Sequence, residues 1–130
     1  MNKTTNKVTV QKIKPAYTDK RGIIIDILEK VPVKHVGLVT FEKGVVRANN
    51  YHKKQTQYTY VLEGEIKLVT QYFGDGKKIT KTIKPGDFTT IPAGFVHAYL
   101  AIKKSVIIVL TDHSRDMKSY EEDTFRVKLI

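Results

Sequence analysis

Cysteine is absent from the 130 residues, which excludes disulfide frameworks, thiolate nucleophiles, thiolate zinc sites and iron–sulfur clusters. No apolar run approaches the ~18 residues of a membrane-spanning helix. The polar stretch from Met1 to Lys14 also lacks the apolar centre of a secretory signal. A cytoplasmic protein without membrane partners is therefore expected. Acidic residues are scarce: 13 Asp and Glu face 23 Lys and Arg, leaving a net charge of +10. Such a balance suits a polyanion, whether nucleic acid, anionic lipid or a phosphorylated small molecule. Missing as well is any long stretch with a 3.6-residue apolar stripe, so helix is not the main element.

What is present is a series of short β-branched runs between turn residues, and it predicts an all-β chain. Candidate strands are Val8–Lys14, Ile23–Leu28, His35–Phe41, Val45–Tyr51, Tyr58–Leu62, Glu65–Phe73, Lys77–Ile83, Phe88–Ile91, His97–Ile102 and Val106–Thr111. Glu63-Gly64, Gly74-Asp75-Gly76 and Pro85-Gly86-Asp87 punctuate them as turns. Val106 to Leu110 is apolar on both faces and is expected mid-sheet in the core. Ten strands at this spacing predict a sandwich or barrel, a single domain over residues 1–130. A short C-terminal tail, Arg115 to Ile130, carries one helical turn near Lys118–Asp123 and reads either as a lid or dimer arm or as a solvated cap.

Two spaced motifs carry the chemistry. Downstream, Gly86-x5-Pro92-x-Gly94-x2-His97 ends with Ala101. Upstream, Gly44-x5-Asn50-x-His52-x4-Gln57-x6-Gly64 places Asn50 and His52 two apart on one strand, hence on one face. Gln57 lies an odd five residues beyond His52, so a bend or bulge must intervene for it to join them. A cluster of Asn50, His52, Gln57 and His97 at one barrel mouth follows.

These patterns resemble the two motifs of the cupin superfamily, which implies a double-stranded β-helix, the jelly-roll cupin barrel. In metal-binding cupins the four positions are His, His, Glu and His. Here Asn50 and Gln57 replace a histidine and the carboxylate, leaving neutral amides beside His52 and His97. No cofactor is favoured on this donor set; a divalent transition metal, if present, would rest on His52, His97, Gln57 and Asn50.

Arg47-Ala48-Asn49-Asn50-Tyr51-His52-Lys53-Lys54, together with Asp19-x-Arg21-Gly22, further resembles the nucleotide-sugar cupins. That group holds dTDP-4-dehydrorhamnose 3,5-epimerases, the WxcM-like dTDP-sugar 3,4-ketoisomerases and cupin domains of capsular polysaccharide enzymes. The resemblance implies a sugar-nucleotide isomerase or epimerase of surface-polysaccharide biosynthesis, working by metal-independent acid–base chemistry on a keto-deoxy sugar. His52 and His97 are the candidate proton-transfer groups and Tyr99 the candidate donor to an enolate oxygen. Arg47, Asn50, Gln57, Lys53 and Tyr51 are the candidate substrate contacts, with Lys54 a further candidate for the diphosphate. Asn50 stands where that group has a histidine and cannot act as a base.

The alternative is a non-enzymatic cupin binding a sugar or another small polar ligand; a metal-dependent cupin dioxygenase or isomerase is the third reading. For His52 and His97 a purely structural role, bonded to Asn50 or Gln57, is the bland alternative. His35 and His113 belong to no motif and are expected at surface or strand-end positions. The lysine pairs fall on turns, and no nucleic-acid-binding signature appears, so nucleic acid is not an expected partner; the resemblance implies a sugar nucleotide as ligand and a second copy of the chain as a homodimer.

Overall fold

The computed structural model describes residues 7–74 and 76–130. Residues 1–6, and Asp75 of the expected Gly74-Asp75-Gly76 turn, lie outside the described residues. Among the described residues, twelve strands and one helix follow in order: β1 (Thr9–Lys12), β2 (Tyr17–Asp19), β3 (Gly22–Ile24), β4 (His35–Phe41), β5 (Val46–Tyr51), β6 (Gln57–Glu63), β7 (Ile66–Tyr72), β8 (Ile79–Ile83), β9 (Asp87–Ile91), β10 (Phe95–Ala101), β11 (Ser105–Thr111), α1 (Met117–Glu122) and β12 (Phe125–Arg126). Two five-stranded antiparallel sheets, ordered β1-β9-β6-β11-β4 and β12-β5-β10-β7-β8, form the barrel walls, and β2-β3 is a separate hairpin. This is the all-β architecture expected from the strand spacing and the jelly roll that the motif resemblance implies.

Strand alternation explains the core. Phe41, Val61, Ile66, Leu68, Ile83, Ile91, Tyr99 and Ile107 point inward and form the main buried cluster between the sheets. Burying such side chains contributes about 1.5–3 kcal/mol each and dominates the stability. A smaller cluster on the far side of the second sheet joins Tyr51, Val69, Val96, Ala98 and Leu129, so the C-terminal tail covers that outer face rather than hanging free.

Local turn chemistry sets the strand ends. Gly64 follows β6 with φ +95°, and a Cβ there would sit 2.5 Å from the Lys104 carbonyl oxygen; only glycine fits that close approach. Gly94 (φ +92°) supports the reversal into β10, where a Cβ would touch the Tyr72 ring.

Two expectations are corrected, and one element was not expected. The segment Ile23–Leu28 is not one strand. Its first residues pair in the β2-β3 hairpin, whose turn is held by Asp19, the carboxylate accepting from both the Arg21 backbone N–H and its guanidinium. Val106 to Leu110 lies mid-sheet, between β6 and β4, but only Ile107 is fully buried. Val106, Ile108 and Leu110 sit half-buried on the outer face, because the main core packs against the inner face of this sheet. Finally, β12 had no local signal: its two residues pair with Tyr51 and Asn50 of β5.

Candidate functional site

Between the two sheets opens a cavity of about 290 Å³, near the lower end of the roughly 300–1,000 Å³ that small-molecule sites occupy. β5 and β10 supply its polar floor, with Asn50, His97 and Tyr99; β6 adds Gln57; β4 and β11 add His35, Val39 and Val109. The β5 backbone is bent to achieve this. Ala48 (φ 76°) and Asn49 (φ 56°) are left-handed, and the β10 register slips between His97 and Ala98. The bulge re-aims the strand so that Asn50 faces His97 directly in the ladder. Asn49, turned away, receives the backbone N–H of Leu129 at 2.8 Å and so anchors the tail.

The polar groups differ in how far they are committed. Tyr99 is held twice: Gln57 Nε2 donates to its hydroxyl at 2.9 Å, and Thr59 Oγ1 lies 2.8 Å away. Burial pushes the Tyr99 phenol up to about 12, against those hydrogen bonds, so it stays protonated at neutral pH. His97 is almost wholly enclosed, 1% exposed. Burial first, and the neighbouring His52 second, bring it down to about 4, so it is a neutral imidazole. Its Nδ1 donates to the Phe95 carbonyl at 3.2 Å, leaving Nε2 as the acceptor. Asn50 Oδ1 is buried with no partner, an acceptor available to a ligand donor.

His52 is placed differently from its expected role. It is buried, its ring 5.8 Å from those of His97 and Tyr120, but it is not among the residues lining the cavity. Its Nδ1 donates to the Asp123 carbonyl at 2.8 Å, rather than to Asn50 or Gln57. Desolvation lowers its pKa, opposed by that carbonyl.

Tyr51 and Lys53 are not brought to the cavity. Tyr51 alternates to the outer face, stacking on Phe73 at 4.4 Å and Phe125 at 5.2 Å. Lys53 lies beside it with Nζ 4.6 Å above the Phe125 ring. Lys54 is likewise absent from the lining. The cationic rim is built instead by Arg47, Arg115 and Arg126. Arg47 donates to the Thr40 carbonyl at 3.1 Å and covers the Phe41 ring; Arg115 stacks on Tyr120 at 4.4 Å; Arg126 lies opposite Asn50 in the β12-β5 register. No aspartate or glutamate lines the cavity among the described residues. His35, expected at a strand end without a role, also faces inward.

Asp123 ties the tail to this site. Its carboxylate accepts backbone N–H groups of Lys53, Lys54 and Gln55 at 2.8–3.2 Å, which fixes the loop between β5 and β6 and supplies the bend that Gln57 needs.

The metal donor set does not fit. Asn50 and Gln57 are neutral amides, so the four positions offer two imidazoles and no carboxylate. Among the described residues no three His, Cys, Asp or Glu side chains converge as a metal site. Also among them, no helix is long and apolar enough to cross a membrane.

The buried neutral histidines make stability pH-dependent. His97 and His52 both have folded pKa values below the usual 6.5, so the unfolded chain binds protons that the folded one refuses. Their contribution is fully present above pH 6.5 and is lost as pH falls toward about 4. Urea titrations are expected to show a loss of about 2–3 kcal/mol over that range, and His97→Gln is expected to flatten it.

Comparison with solved structures yields dTDP-4-dehydrorhamnose 3,5-epimerase from Sulfolobus tokodaii, 22% identical, covering 86% of this chain and 73% of that one with a TM-score of 0.71. The sugar 3,4-ketoisomerase QdtA from Thermoanaerobacterium thermosaccharolyticum, in complex with TDP, is 23% identical, covering 92% and 87% with a TM-score of 0.76. The capsular polysaccharide assembling protein CapF from Staphylococcus aureus is 17% identical, with 90% of this chain matching 33% of that one at a TM-score of 0.68. No curated protein matches by sequence. The cupin family model matches residues 28–127, spanning both motifs and both sheets, and with the barrel just described it shows that this chain belongs to the cupin family.

Proposed function

We propose that the cavity binds a nucleoside-diphosphate sugar and that the protein is a metal-independent isomerase or epimerase of a keto-deoxy sugar, acting in cytoplasmic surface-polysaccharide synthesis. The observation that carries this reading is the pairing of a neutral polar floor, His97, Asn50, Gln57 and Tyr99, with a rim that, among the described residues, has three guanidinium groups and no carboxylate. Guanidinium forks match phosphate oxygens in geometry and charge. The floor offers one neutral imidazole and hydroxyl and amide groups for a sugar ring. QdtA, whose fold is similar, is known in complex with TDP, and a His-to-Asn variant of it with TDP-4-keto-6-deoxyglucose.

Asn50 also favours a second reading. Its unpartnered Oδ1 binds a hydroxyl well but takes no proton, which suits a module that holds a sugar nucleotide without transforming it. Incubation with TDP-4-keto-6-deoxyglucose in deuterated water, followed by NMR, separates the readings. The enzyme reading expects carbon-bound deuterium and a rearranged keto sugar; stabilisation by TDP without either supports the binding module. Absence of any TDP effect on the melting temperature would contradict both.

A homodimer belongs to the same proposal. Val36 and Leu38 lie on edge strand β4, 62% and 66% exposed, beside the outward Ile108 and Leu110. An open apolar edge of this kind calls for a partner strand, and light scattering is expected to give twice the monomer mass.

A further inference from the structure

Resting on that reading of the cavity, we infer that His35, which no cupin motif contains, is the proton-transfer imidazole that Asn50 cannot provide. Three observations place it there. First, His35 shares its inward face with Gly37, Val39 and Phe41, and lines the cavity from β4. It therefore approaches a bound ring from the sheet opposite to the one that carries His97 and Asn50. Second, of His35, His52 and His97 it is the one whose Nδ1 is uncommitted. Nδ1 of His52 and of His97 is each held by a backbone carbonyl, whereas His35 Nδ1 is buried without a partner. Third, the chain makes room for it: a Cβ at Gly37 would lie 3.1 Å from His35 Cε1 and 3.4 Å from Nε2. The ring thus rests in the space a side chain at 37 would fill.

The environment suits a base. Burial first, and the charge of Arg115 second, lower the His35 pKa from its ordinary value, which keeps the imidazole neutral at physiological pH. In the proposed step an unprotonated ring nitrogen of His35 takes the proton from the carbon beside the ketone. The C–H electron pair becomes the C=C bond of an enolate, and the carbonyl π pair moves to oxygen. That developing charge faces a lining whose charged members, among the described residues, are Arg47, Arg115 and Arg126. The imidazolium exchanges its proton with solvent and then returns one to carbon, restoring the neutral base.

The test follows deuterium uptake from solvent into TDP-4-keto-6-deoxyglucose, with TDP affinity measured in parallel by calorimetry. His35→Gln is expected to slow exchange at least about a hundredfold with TDP affinity within about twofold. Gly37→Ala, which displaces the ring without removing it, is expected to slow exchange about tenfold at unchanged affinity, and it guards against a folding defect at position 35. Exchange by His35→Gln at the wild-type rate would overturn the inference while leaving the sugar-nucleotide reading intact. So would a wild-type protein that binds TDP but exchanges nothing. Failure of the wild-type protein to bind TDP would instead overturn the reading on which the inference rests.

Discussion

Replacing Arg115 and Arg126 together by alanine is expected to weaken TDP binding by roughly 30- to 1,000-fold, while leaving the urea midpoint close to that of the parent. Charge-assisted hydrogen bonds to phosphate contribute about 1.5–3 kcal/mol each, less where water competes, so a loss of about 2–4 kcal/mol follows for the pair. Both side chains are exposed, and neither belongs to a core cluster. Arg115 rests on Tyr120 and Arg126 makes one weak contact to Glu121 at 3.3 Å, an exposed pair that contributes little to stability. Removing them therefore separates ligand binding from folding. The control is Lys53→Ala, which sits on the outer face over Phe125 and is expected to leave TDP affinity within about twofold. Raising salt should reduce the parent's affinity more steeply than that of the double variant, which keeps only Arg47 of the rim. Calorimetry at two ionic strengths reads both effects, and equal affinity in parent and double variant would remove the arginines from the site.

The second large effect is on stability. Asp123→Ala is expected to cost about 2–3 kcal/mol in urea denaturation, because one carboxylate serves three consecutive backbone N–H groups, those of Lys53, Lys54 and Gln55. Without the carboxylate these three N–H groups lose the acceptor they share and must turn to water. The damage reaches the site through its neighbours. Gln55 and Gln57 line the cavity, and His52 is held by the carbonyl of the same residue 123. Asp123→Asn keeps one acceptor oxygen and is expected to lose about half as much. A substitution with no effect on the midpoint would show that the loop is held by other means.

Much of the barrel was legible because its signals are local. The strand His35–Phe41 is found within its expected bounds, and most of the others agree to within two residues. Gly86 and Gly94 mark real positive-φ turns, and the predicted proximity of Asn50 and His97 appears as a direct ladder pair. What escaped was set by long-range pairing. Arg126 reaches the site because β12 adds to β5, and Arg115 because the tail crosses the mouth; neither has a spacing signature. The outward position of Tyr51, by contrast, was available from strand alternation: if Asn50 and His52 face inward, Tyr51 cannot. The same alternation points to His35, since residues 35, 37, 39 and 41 share one face and Phe41 is an obvious core residue. Its lack of a motif hid it.

A crystal structure of the protein soaked or grown with TDP tests the central claim most directly. The predicted result is a diphosphate held by at least two of Arg47, Arg115 and Arg126, with the end that would carry the sugar directed between His35 and His97 toward Asn50. A diphosphate bound on the outer face beside Tyr51 and Lys53, with the inter-sheet cavity filled only by water, would contradict it.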